Sequence, residues 1–343
     1  MSRLCALLVL FTCGQAAADS FWRPAPTASR ARRMAAAQGD LHLTTARLQT
    51  TARGQQTIVR PDALIFAEAR KAISAYERAL LAPGPDDAEL HYRAMIAAEY
   101  IDVKGAANCI GCRDGYEAVV RHAEGFRQAD PRDPRLENVV FRACVARSKL
   151  GGLGGRDADE QLRRAIAEYA LYRTLIDEGQ AYYGLLMAQA ASNEAELHMG
   201  LGDLDEAIRL SPLSADLNPA EALAYYGLAV AYDRDGQWTK AIAAMETALR
   251  LDRDLDRLSD ALVFFVPDGD VFYYRALGYH TLYLRTREAR FQSLAAELYD
   301  KFLARERTGR YHERAREHRR ELEKGPRPVR PRPELLDFGE EPW

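Results

Sequence analysis

Ala195, Gly202 and Ala207 recur as Ala229, Gly236 and Ala241, each 34 positions further along the chain. A fixed period in this range marks stacked supersecondary units, each too small to bury its apolar face alone. The residue types say which unit. Small residues separated by a glycine suit two helices that cross closely around a tight turn. The chain is therefore expected to be all-α. A second register competes, because AYYGL occurs at 181–185 and again at 224–228. The 34-residue period is preferred because it aligns both crossing alanines and the turn glycine.

The rest of the chain reads the same way. Helices are expected over about 28–53, 62–82, 88–101, 116–129, 135–150 and 158–177. Two pairs then fill 178–252, a last pair 270–305, and a single helix 309–324. Breaks fall at Arg60-Pro61, at the DPRDP run and at GGLGG over 151–155, which is taken as a flexible linker. Val263 to Val266 is the one expected extended piece. Organised by composition, residues 1–18 form a leader, 19–59 an N-terminal helical segment, and 60–307 the repeat domain. A basic capping helix (308–325) and a proline-rich tail (326–343) follow.

The leader has Arg3, an apolar run from Leu4 to Phe11, and Ala16 and Ala18 before Asp19, the pattern of a secretory signal. Cys13 leaves lipid anchoring open, although Thr12 is bulkier than the residue such signals place there. No later stretch is long and apolar enough to span a membrane. With the leader gone, 46 basic residues face 50 acidic ones, a balance that argues against a nucleic-acid binder.

The segment from Glu221 to Asp252 resembles a tetratricopeptide repeat. Ala229, Ala241 and Ala248 take the family's small positions, and Leu228, Tyr232, Trp238 and Met245 the large ones. Gly236 sits in the turn, while Arg253 stands where the family closes with proline. The unit over about 188–221 matches less completely, with Ser214 in the third small position. Ala72, Tyr76, Ala79, Ala94 and Ala276 suggest further units, and Ala118 follows Ala94 too late, so the cysteine loop is an insertion.

The resemblance implies a right-handed superhelical solenoid whose first helices line a concave groove. Carried onto this chain, the groove receives Tyr226, Val230, Asp233 and Arg234, with Glu196 and Met199 from the unit before and Tyr273, Leu277 and His280 from the last. The implied function is a non-catalytic scaffold that holds a protein or peptide partner, with no cofactor. The leader and the arginine- and alanine-rich composition place it in a bacterial envelope, most simply the periplasm. A small-ligand holder attached to a solute transporter is the alternative.

Chemistry-bearing motifs are few. Cys109 and Cys112 form CIGC, which reads as a structural disulfide, with redox and metal roles left open. Arg113 occupies the position where haem attachment needs histidine. Cys144 reads as a buried small residue. In HERAREH, His312 and His318 are six apart, about 240° around a helix, so they cannot share a metal, and the segment reads as an exposed charged face. No serine elbow, HExxH or Walker lysine is present, so neither catalysis nor a metal site is expected.

Overall fold

A computed structural model describes residues 24–54, 62–101, 112–259, 265–306 and 309–324. The leader with Cys13, Cys109 of the expected Cys109–Cys112 bridge, and the proline-rich tail lie outside the described residues. Among the described residues the structure is all-α, built of consecutive helical hairpins and without a strand. The helices are α1 (Arg30–Gly54), α2 (Asp62–Leu80), α3 (Asp87–Glu99), α4 (Cys112–Ala129), α5 (Leu136–Gly152), α6 (Ala158–Leu175), α7 (Tyr183–Leu201), α8 (Leu204–Leu217), α9 (Ala222–Arg234), α10 (Trp238–Leu251), α11 (Asp270–Thr286), α12 (Ala289–Arg305) and α13 (His312–Lys324). A 3-10 turn at Asp256–Ser259, unforeseen in the sequence, follows α10. Two compact units divide between Val139 and Val140. None of the described helices is long and apolar enough to cross a membrane.

In the first unit α1 packs along α2, and α3 along α4. The alanines of α2 explain the close approach, since Ala69, Ala72, Ala75 and Ala79 are all fully buried. A polar network runs beside this core. Asp40 accepts hydrogen bonds from Tyr76 (2.7 Å) and Arg93 (3.0 Å), and Arg93 also donates to Glu89 at 2.6 Å. Arg135 pairs with Glu89 and Asp133 and lies 4.6 Å over the Tyr92 ring. These charges are shared among partners, which is what burial demands of them.

In the second unit α7 pairs with α8, α9 with α10, and α11 with α12. The 34-residue period appears here as geometry. Ala195, Ala207, Ala229, Ala241 and Ala248 are at most 2% exposed, and Ser214, in the third small position, is buried too. Gly202 (φ 83°) and Gly236 (φ 79°) turn the chain in the left-handed region that glycine enters without strain. Met245 fills the space between α9 and α10, with Leu228 and Trp238 partly buried around it.

Two local expectations change. GGLGG is no flexible linker: α5 continues to Gly152, and a Cβ on Gly151 would stand 2.3 Å from Leu162 Cδ2, so glycine lets α6 pack there. Of the expected extended piece, Phe265 and Val266 are described and form no strand; they are buried, and Lys149 donates to the Phe265 carbonyl at 3.1 Å. Cys144 is fully buried, and burial pushes its thiol far above the usual range.

Candidate functional site

The first helices of the second unit present charged and aromatic residues on one side. Glu196 and Met199 lie on α7; Tyr226, Val230, Asp233 and Arg234 on α9; Tyr273, Leu277 and His280 on α11. Spacings of three and four put each set on one helix face. The structure brings these nine residues together, but in the interior: none is more than 8% exposed. They do not form an open groove. Chain segments that follow the repeats cover them.

The cover is built from the residues before α11 and from α13. Tyr311 precedes α13, and Ala315, His318 and Leu322 continue the same stripe along it, all nearly or fully buried. HERAREH is thus amphipathic, not an exposed face, and His318 is its most buried polar residue. Its arginines face outward or bridge to neighbours.

Asp233, near the end of α9, is where the cover is gripped. Its carboxylate accepts from Arg314 Nη2 (2.6 Å), Arg314 Nε (3.1 Å), His318 Nε2 (2.9 Å) and the Tyr273 hydroxyl. Burial would raise the Asp233 pKa, but the His318 and Arg314 charges outweigh it and hold the carboxyl well below its usual range. Burial likewise opposes a charge on His318, and Asp233 more than compensates, so that pKa is raised. The His318 ring lies between those of Trp238 (centroids 5.0 Å apart) and Tyr299 (5.2 Å, stacked).

A second cluster lies beside it. Arg234 stands 3.0 Å from Asp270, between the rings of Tyr311 (4.0 Å) and Tyr273 (4.9 Å). Glu196 accepts from the Tyr274 hydroxyl and from the Val266 amide at 3.2 Å. Burial, then the neighbouring Asp270 carboxylate, pushes Glu196 up to about 7. Tyr311 donates its hydroxyl to the Met199 carbonyl. Tyr226 has different partners from the two clusters: its hydroxyl donates to the Asp252 carbonyl and carboxylate, each at 3.1 Å, closing the end of α10. Tyr226 therefore clamps its own hairpin.

His280 is 2% exposed, and its Nδ1 has no hydrogen-bond partner; burial and then the His318 charge push its pKa down to about 3. One ligand atom each of His280, His318 and Glu321 lie within 4.8 Å of one another. The sequence separates these residues, and reading His312 with His318 hid the pair, which lies on two different helices. Asp270, Tyr274, Tyr311, Arg314 and Trp238 complete the clusters. The signal that could have exposed them is the Tyr311–Ala315–His318–Leu322 stripe, whose buried side needs a partner.

Asp233 and His318 could orient a proton, as the paired groups of a nucleophilic site do. Both are 0% exposed, so a substrate has no route to them without displacing α13. The arrangement holds α13 in place.

No family model matches the chain, and no curated protein matches it. Among solved structures it is similar to one titled "Crystal structure of MamA protein", at 17% identity over 66% of this chain and 98% of that one, with a TM-score of 0.37.

Proposed function

We propose that this chain is a non-catalytic helical-repeat scaffold that binds a protein or peptide partner in the bacterial envelope. One observation carries the reading: the second unit already holds an amphipathic helix, α13, by the Asp233 carboxylate on α9 and the rings of Trp238 on α10 and Tyr299 on α12. Recognition of a helix in a groove uses these same parts. The partner's chemistry follows from its internal stand-in: an amphipathic helix with small and large residues at i, i+4, i+7 and i+11 and an arginine at i+3. The envelope assignment rests on the leader-like residues 1–18. A lipid anchor at Cys13 would add a peripheral membrane attachment.

The test places a photo-crosslinking residue at Asp300, exposed on α12 beside Arg319 of α13, in intact cells. The full chain is compared with its Arg314→Glu variant, which weakens the hold on α13. Support is a protein adduct whose yield rises several-fold in Arg314→Glu. Adducts of lipid or metabolite alone, or a protein adduct indifferent to Arg314, overturn the reading.

A further inference from the structure

His280, on α11, and His318 and Glu321, one turn apart on α13, converge from two helices. Both Nδ1 atoms are buried without a hydrogen-bond partner, on rings that are 2% and 0% exposed. His318 Nδ1 is 3.5 Å from a Glu321 carboxylate oxygen. A tetrahedral metal with bonds of about 2.0–2.1 Å holds its ligands about 3.3 Å apart. One ligand atom from each of the three side chains lies within 4.8 Å of the other two, so the three groups need only draw in further to surround a metal.

We propose that His280 Nδ1, His318 Nδ1 and a Glu321 carboxylate oxygen form a site for a borderline divalent cation, zinc above all. Two imidazoles and one carboxylate are a ligand set suited to that metal, with a fourth position left to water. The surroundings are those of a built site. His318 Nε2 is held by Asp233 at 2.9 Å, which fixes the ring and leaves Nδ1 to the metal, the second-shell arrangement of metal-binding histidines. Trp238 and Tyr299 wall the site with apolar rings. Glu321, 45% exposed, provides the entry.

The charge balance also holds. Asp233 and Glu321 face the cation and Arg314 opposes it, while the histidines bind as neutral groups. The structural effect of the metal is to tie α13 to α11. A single water bridging the two Nδ1 atoms would satisfy the same groups, and the experiment separates the two.

The experiment is calorimetric zinc titration of the untagged full chain, with cobalt(II) absorption as a second readout. The proposal expects one site per chain, a four-coordinate cobalt spectrum without the near-ultraviolet thiolate band that Cys109 or Cys112 would give, and a melting temperature raised by zinc. Glu321→Gln, on the exposed side, should keep the fold and weaken zinc at least tenfold; His280→Gln should do the same. Cys109→Ser with Cys112→Ser should leave this affinity unchanged. Binding only at millimolar zinc, binding lost in the cysteine variant, or binding indifferent to Glu321→Gln would overturn it; the first of these is the bridging-water outcome.

Discussion

Gly236 and His91 show what single residues decide. At Gly236 a Cβ would meet nothing within 4 Å, so substitution there measures conformation alone. Gly236→Ala should destabilise the second unit by about 1–2 kcal/mol in denaturant unfolding, the penalty of a left-handed L-residue. His91 Nδ1 lies 3.0 Å from His122 Nδ1, and burial, then the His122 charge, pushes the His91 pKa down to about 4. A histidine that resists protonation in the folded state makes unfolding easier as pH falls from its unfolded value toward its folded one. Between pH 7 and 5 the wild type should lose about 2 kcal/mol from this residue, and His91→Gln should flatten that part of the profile. A slope unchanged in His91→Gln would show that the ring is freely solvated. Arg234 and Asp270 make the matching test for buried charge. Asp270→Asn leaves the guanidinium without its counter-ion and should cost about 3–5 kcal/mol in the same unfolding assay.

Elements divide into those whose sequence states their packing and those whose sequence does not. The hairpins of α7 to α10 were legible because helix crossings force small residues at fixed spacing, and Ala195, Ala207, Ala229 and Ala241 obey it. Replacing Ala229 with leucine should overpack the α9–α10 crossing and cost about 1–3 kcal/mol, measured by thermal or denaturant unfolding. Tolerance of leucine there would mean the helices cross elsewhere. GGLGG was misread because a glycine run has the same composition whether it is loose or lets another helix come close. The inner-face residues were also identified, but as open surface. Repeat spacing tells which side of a helix faces inward; it does not tell whether a later helix fills that space. Asp233, Arg234 and Glu196 carry the clue in retrospect, since each finds its partner on α11, on α13 or just before α11. Those partners lie tens of residues away and follow no period.

At the scale of the second unit, α13 is part of the folded repeat array. A 13-residue helix so rich in charge is marginal in isolation. It is ordered here by a buried stripe, by the Asp233 grip and by the rings of Trp238 and Tyr299. The proposed partner and the proposed metal would both act on this helix, one by competing for its seat and the other by fastening it. Hydrogen exchange of the α13 amides in the full chain tests this most directly. Docking predicts that Ala315 to Leu322 exchange as slowly as the amides of α9, and that Asp233→Asn accelerates α13 at least tenfold. Exchange of α13 at the rate of a free peptide in the wild type would contradict the account.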